Sequence, residues 1–472
     1  MNITPPLAPP GNKAGIFARL LSGTLLSVLN VALLLFALSL YMLPHLRQVE
    51  PIELYHQTWE TAAAQAYDPA KLKDWPSWEH KFDSQIKTDE DAIKFANEML
   101  ASTGDHYASL LPPEAVQAQD ERSAGKFAGI GVSIEPKFDA DGKVVMSAIE
   151  ADGPLVASDS NGYPLIKEVR PNGPAMLAGM KDGDAVVSID NVSVKDASMK
   201  MLVSKMRGKP GEVVDVAVVR NGKPVDLKIT RAFVKTEVVS SKLLTAENGT
   251  KVGYIRLENF MERDAADEMK AAISNLGTDK LIIDMRFNPG GDVNVCLQLV
   301  SLFLNDGKIV SIRERAAGSG HSLSTFSVSA AGFNINVKDE ATGSVSDKTV
   351  KRLEAIAGDK EIVILVNGHS ASAAEMFTGA LKDNKRATVI GERTFGKGIG
   401  QSVIRMPNNT SLHITSLRYF TPSGKWLGDG GNSSESYGIE PDFVVKLNEA
   451  KGTKLGSPND NQLSFALKQI SK

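Results

Sequence analysis

From Thr236 onward, apolar runs of strand length alternate with helical segments, and this alternation narrows the folds open to the 472-residue chain more than any other feature. Expected strands are 252–257, 280–285, 361–367, 387–391 and 412–417. Helices are expected at 265–276, 293–304 and 373–381. Strands separated by helices of this length form a parallel or mixed sheet with crossover connections, because a short hairpin cannot join parallel strands. The section 313–359 breaks the pattern. It is rich in Gly, Ser and Ala early on and reads as an insertion of uncertain order.

Earlier parts of the chain have different textures. Residues 48–124 read as helical, with Trp59, Ala62, Ala63 and Tyr67 at helical spacing, and they close on Leu110-Leu111-Pro112-Pro113. Residues 125–233 carry short β-type runs divided by turn signals. Asn221-Gly222 sits between Val213–Val219 and Val225–Thr230 as a hairpin turn, and 197–207 reads as a helix. The N-terminus differs again. Residues 1–19 contain Lys13 and Arg19 and no acid, and Leu20–Leu43 is an uncharged apolar stretch. That stretch is long enough to span a hydrocarbon core of about 30 Å. The Tyr41-Met42-Leu43-Pro44-His45 end makes a poor cleavage site. The expectation is an uncleaved single-pass anchor over 20–44 in the inner (cytoplasmic) membrane. The positive N-terminus would stay in the cytoplasm and the rest would be periplasmic or otherwise extracytoplasmic.

Composition excludes several function classes. The net charge is −3, and no basic run is interleaved with aromatics, so nucleic acid is not an expected partner. The single cysteine, Cys296, rules out an internal disulfide framework and a multi-cysteine zinc site. It lies in the apolar run Val293–Val300 and reads as a core helix residue. His413 and the other six histidines show no metal-ligand spacing in the sequence, so neither a zinc hydrolase nor any other metal or cofactor is expected.

The chemistry concentrates where the strand Ile362–Val366 runs into Asn367-Gly368-His369-Ser370-Ala371 and then a helix beginning near Ser372. A nucleophile at a helix N-terminus benefits from the positive end of the dipole as an oxyanion forms. Lys397, in Phe395-Gly396-Lys397-Gly398, lies 25 positions further on (397 − 372) and can act as base if its amine is kept neutral. Gln401 could hold that amine without adding charge. Ser370 is the competing nucleophile. His369 stands three positions before Ser372 and is poorly placed to take its proton. Glu375 reads as a first-turn acid that bonds locally. Asn288-Pro289-Gly290-Gly291 ends a strand with two glycines, whose amides can approach a carbonyl closely. Gly290 or Gly291 with the Ala373 amide would make an oxyanion hole.

The chain carries two resemblances. Residues 125–233 resemble a PDZ domain of the permuted kind through Gly129-Ile130-Gly131-Val132, Pro174-Ala175 with Ala178-Gly179, Gly183-Asp184 and Ile189-Asp190. The resemblance implies that the loop Gly129–Gly131 holds a chain-terminal carboxylate. The Val132 strand would pair with the bound peptide, and Met201, Leu202 and Met206 would receive its apolar side chains. From about Trp59 to Leu447 the chain resembles the carboxyl-terminal processing (tail-specific) peptidases. The shared motifs are Ser370–Glu375, Thr394–Gly398 with Gln401, Asn288–Gly291, Tyr419–Gly424 and Gly438–Asp442. This implies Ser372 as nucleophile, Lys397 as general base and Gln401 as the residue orienting the lysine. The implied fold class is multidomain α/β: an N-terminal transmembrane helix, a helical segment, a PDZ domain, and a protease core over 234–448 with a mixed sheet of the crotonase/Clp-like kind. A tail occupies 449–472. The expected function is a membrane-anchored endopeptidase acting near protein C-termini. Its alternative is a catalytically silent PDZ adaptor that binds tails for a partner protease. The sequence leaves open an activator or adaptor protein and a homo-oligomer.

Overall fold

The computed structural model describes residues 47–472 except 73, 124–126, 138, 140–144, 148–153, 235–237, 316–319, 432–436 and 449–454. The expected anchor over 20–44 therefore lies outside the described residues. Among those described, no helix is long and apolar enough to cross a membrane. The chain forms two compact units: one takes the residues up to Val116 with Gln401–Thr415, the other Gln117–Gly400 with Ser416–Lys472.

In the first unit, the helices Pro51–Gln65 and Asp89–Ala101 bury Leu54, Tyr55, Phe95 and Met99 together with Leu412 and Ile414. Thr88 starts the second helix with a capping box: its side chain accepts from Asp91 N–H, and the Asp91 carboxylate accepts from Thr88 N–H. Strand Ser109–Leu111 pairs antiparallel with Ser411–His413.

Among the described residues, the second unit holds three hydrophobic clusters in two places. The first belongs to residues 127–234, where strands 192–193, 185–189, 213–220 and 223–230 form a four-stranded sheet in that order. The hairpin turns at Asn221 and Gly222, both at positive φ, as a two-residue β-hairpin requires. The other two flank a six-stranded sheet in the order 239–245, 251–257, 280–284, 361–366, 388–391, 443–444. The first pair is antiparallel and the rest are parallel. Strand alternation loads both faces. Leu281, Ile283, Ile362 and Ile364 face one core, while Ile282, Val363 and Leu365 face the helix Asn461–Ile470 through Leu463, Ala466 and Ile470.

Most of the described residues in the section 313–359 are regular. Strands Gly307–Arg315, His321–Ser329, Gly332–Asp339 and Val345–Val350 form an antiparallel meander, and Gly307–Arg315 also pairs with the 417–420 end of strand Ser411–Phe420. Its strands alternate polar and apolar residues on two half-exposed faces, so the Gly, Ser and Ala content masks the period of two.

Three strands of the large sheet, 280–284, 361–366 and 388–391, are adjacent and parallel, so their carboxyl ends open on one edge. The three loops leaving that edge are 285–291, 367–372 and 392–398. In open α/β sheets this is where ligands bind.

Candidate active site

Strand 361–366 delivers Ser372 as the N-cap of the helix Ala373–Asp383. Its backbone sits at φ 55°, ψ −117°, a conformation costly for a residue with a Cβ. Neighbouring bonds hold it there. Ser372 N–H donates to Glu375 Oε2 at 2.9 Å, and its carbonyl accepts from Glu375 and Met376 N–H, both at 2.9 Å. Ser370 is placed differently. It is fully buried, its hydroxyl donates to the Met285 carbonyl at 2.8 Å and accepts from Asn367 N–H at 3.0 Å. A hydroxyl so committed stitches two loops together and leaves Ser372 as the serine of this turn with a partly exposed side chain.

Lys397 is half-buried on the third loop. Gly396 has φ 93°, and a Cβ on Gly398 would stand 2.9 Å from Leu427 N and from the Trp426 ring, so both flanking glycines are needed for this path. Two buried groups then tie the Ser372 and Lys397 segments together. The Glu375 carboxylate is fully buried and accepts four bonds: from Thr394 Oγ1 at 2.5 Å, Gly396 N–H at 2.7 Å, and Ser372 and Lys397 N–H at 2.9 Å each. Burial pushes its pKa above the ordinary carboxylate value, and the four donors act in the opposite sense. The Tyr419 hydroxyl donates to the Ser372 carbonyl at 3.0 Å and to the Lys397 carbonyl. Burial also raises the Tyr419 pKa, so it stays a phenol donor. Glu375 is more than the local helix acid that its place in the sequence suggests, because three of its four bonds reach residues 394–397.

The 285–291 loop closes the site. A Cβ on Gly290 (φ 93°) would lie 2.7 Å from Ala373 N, 2.7 Å from the Ala371 carbonyl and 2.8 Å from Ser372 Cβ. Gly290 thus lies against the serine, whereas a Cβ on Gly291 would meet the Phe260 and Met261 backbone. The Gly290 amide, however, donates to Asn288 Oδ1 at 2.9 Å, which commits it elsewhere. Gly290 as an oxyanion donor would have to give up that bond, and Ala373 is the first residue of its helix, where N–H groups lack intrahelical partners.

A charged network that the sequence does not reveal supports this loop from below. Arg286 is fully buried and donates to Asp284 at 2.9 and 2.6 Å, to Asp460 at 3.0 and 2.6 Å and to Gln462 at 2.8 Å. Burial would weaken the guanidinium charge, but the two carboxylates hold its pKa up. Asp460 also caps the C-terminal helix through Leu463 N–H. No local pattern links Arg286 to a residue 174 positions away.

Cys296 is fully buried, its thiol contacts the Ala373 carbonyl at 3.3 Å, and burial pushes its pKa up, so it is core and no thiol nucleophile. The His369 ring stacks on Phe287 at 5.1 Å. Gln401 Nε2 donates to the Tyr107 carbonyl at 2.6 Å. In the 127–234 domain, Gly131 takes φ 78° and Val132 pairs with Val169. Ile130, Leu202 and Met206 are 2%, 0% and 5% exposed and belong to the domain core. Leu202 and Met206, four apart, turn inward on the helix Met199–Met206, so of the expected groove residues only Gly131, Val132 and Met201 remain half-exposed.

Known proteins bear on this arrangement. Residues 251–445 match peptidase family S41, and residues 165–220 match the PDZ domain. A carboxy-terminal-processing protease of Bartonella bacilliformis is 32% identical over 377 residues, covering 76% of this chain and 71% of that protein. The chain belongs to the carboxyl-terminal processing peptidases of family S41. A carboxyl-terminal-processing protease of Picosynechococcus is 28% identical over 82% of this peptidase and 81% of its own length. The fold of an S41 protease from Bacteroides fragilis aligns with a TM-score of 0.50 at 15% identity, over 88% of this chain and 97% of that one. This S41 peptidase is a serine endopeptidase with a PDZ domain.

Proposed function

We propose that the protein is a membrane-anchored endopeptidase that captures protein C-termini on its PDZ domain and cleaves near them with a Ser372–Lys397 dyad. Ser372 Oγ attacks the scissile carbonyl while the neutral Lys397 amine takes its proton. The oxyanion meets the Ala373 and Gly291 amides. Collapse breaks the C–N bond, and the proton passes from Lys397 to the leaving amine. Water, deprotonated by Lys397, then attacks the Ser372 ester, and the acid product leaves with Ser372 reprotonated. Gln401 holds the lysine in its productive orientation, as the family resemblance implies. The Gly129–Gly131 loop takes the tail carboxylate and the Val132 strand pairs with the peptide backbone. The apolar segment 20–44 anchors the chain, with the catalytic part outside the cytoplasm.

The observation that carries this reading is that one carboxylate, Glu375, and one phenol, Tyr419, bind the main chains of both Ser372 and Lys397. A silent adaptor has no physical need for that double clamp. Incubation of wild type and Ser372→Ala with a peptide ending in small apolar residues tests the reading. The expected result is cleavage by wild type alone, with both proteins binding. Equal cleavage would overturn the serine assignment. Binding by both without cleavage would establish the adaptor.

A further inference from the structure

The first unit contains a second group of chemistry-bearing side chains that peptide hydrolysis does not use. His56, on the helix Pro51–Gln65, meets His80 and Asp83 on the turn just after residues 75–78. His56 Nε2 lies 2.9 Å from Asp83 Oδ1, and His80 Nδ1 lies 3.0 Å from Asp83 Oδ2. The two imidazoles stand edge to face with centroids 5.0 Å apart. All three residues offer a ligand atom within 4.8 Å of the other two.

The scaffold under these groups is rigid. Trp59 and Trp75 exchange reciprocal bonds, each indole N–H donating to the other's carbonyl at 2.9 and 3.1 Å. The buried Tyr55 hydroxyl donates to the Trp78 carbonyl at 2.5 Å, and Phe82 stacks on Phe95 at 4.2 Å. These contacts fix the helix against the turn on either side of the cluster. His80 and Asp83, three apart on a helix-like turn, present their side chains to one face.

We propose that His56, His80 and Asp83 form a site for a divalent transition ion of the zinc class, with a fourth position open to water. Two imidazoles and a carboxylate are borderline donors that suit zinc, whereas calcium and magnesium require mainly oxygen ligands. Bonds of about 2.0–2.1 Å in a tetrahedral site set ligand atoms about 3.4 Å apart. The two hydrogen-bonded separations need to open by a few tenths of an ångström, and the remaining one, no wider than 4.8 Å, needs to approach the same value. One exposed and two half-exposed side chains can make these adjustments by small rotations. The bound ion would cross-link the helix to the turn. Glu79, whose Oε1 is 3.8 Å from His80 Nε2, adds negative charge beside the site, while Lys81 is drawn over the Trp78 ring.

Chelator-stripped, untagged full chain is titrated with Zn²⁺ and then Co²⁺, with stoichiometry from elemental analysis and affinity from calorimetry. The expected result is one ion per chain, a tetrahedral Co²⁺ absorption spectrum and a rise in melting temperature with added zinc. His80→Ala and Asp83→Asn each lower affinity by about 10- to 100-fold or more, while Ser372→Ala and His321→Ala leave it unchanged. His80 is the most exposed of the three, so His80→Ala decides the matter if a second variant fails to fold. Absence of stoichiometric binding in wild type, or equal binding by a folded His80→Ala, would overturn the proposal.

Discussion

Glu375→Gln removes one charge and almost no volume, so its effect reports on four hydrogen bonds alone. Oε1 accepts from Thr394 Oγ1 and Gly396 N–H, and Oε2 from Ser372 and Lys397 N–H. A glutamine can accept at only one of its two terminal atoms. Whichever way its amide turns, two buried donors face an NH₂ group. Each stranded donor costs about 1–3 kcal/mol, for a total of about 2–6 kcal/mol, partly offset because a buried charge is gone. The strain falls on the junction between the Ser372 and Lys397 segments. A displacement of about 1 Å between reacting groups costs on the order of 100-fold in rate. The expected outcome is a kcat lowered about 100-fold or more with KM little changed, because the contacts that bind the tail are untouched. Urea unfolding shows a lower midpoint with an unchanged slope. Steady-state kinetics on a tail peptide, with an unfolding curve on the same preparation, measures both. A variant within about twofold of wild-type kcat and with the same midpoint would refute the clamp.

The same geometry sets further outcomes. Gly290→Ala places a Cβ 2.7 Å from Ala373 N and 2.8 Å from Ser372 Cβ, so the variant folds but turns over at least about 100-fold more slowly in a peptide assay. Ser370→Ala gives up the bonds to Met285 and Asn367; it loses about 1–3 kcal/mol in denaturant titration while keeping measurable turnover, the reverse of Ser372→Ala. Arg286→Met removes the buried cation shared by Asp284 and Asp460, leaving Asp284 with Tyr254 and Arg256 and Asp460 with backbone donors, and costs about 3–5 kcal/mol by the same titration. Burial acts to raise the Asp460 pKa, but Arg286 wins and holds it below its ordinary value. Since the folded value is the lower one, this carboxylate stabilises the fold above about pH 4 and loses that contribution as pH falls through its folded pKa. Asp460→Asn is therefore less stable than wild type at neutral pH, and the gap narrows in acid unfolding.

How much of this is legible in the sequence depends on the range of each contact. The core strands and helices appear close to their expected bounds because period and length are local signals. The strand-to-helix turn at Ser372, the glycines about Lys397 and the hairpin at Asn221-Gly222 are legible for the same reason. The meander over 307–350 is not, since two half-exposed faces blur the alternation that marks a strand. Leu202 and Met206 are expected in a groove and lie in the core because helical spacing shows which residues share a face, not which way that face turns. Arg286 with Asp460, Glu375 with Thr394, and His56 with His80 and Asp83 are side-chain meetings produced by the fold. Spacing along the chain encodes only fragments of them, such as the three-residue steps from Ser372 to Glu375 and from His80 to Asp83.

The central claim is that Lys397 takes the proton of Ser372, and Lys397→Arg addresses it most directly. A guanidinium keeps much of the length and the hydrogen-bonding end but cannot shed its proton near neutral pH, so it cannot supply the neutral base. Single-turnover cleavage of a tail peptide, with peptide affinity measured on the same protein, separates chemistry from capture. The account predicts unchanged affinity and a cleavage rate lowered about 10²–10⁴-fold, the contribution typical of a general base. A Lys397→Arg enzyme that cleaves within about tenfold of wild type would contradict it.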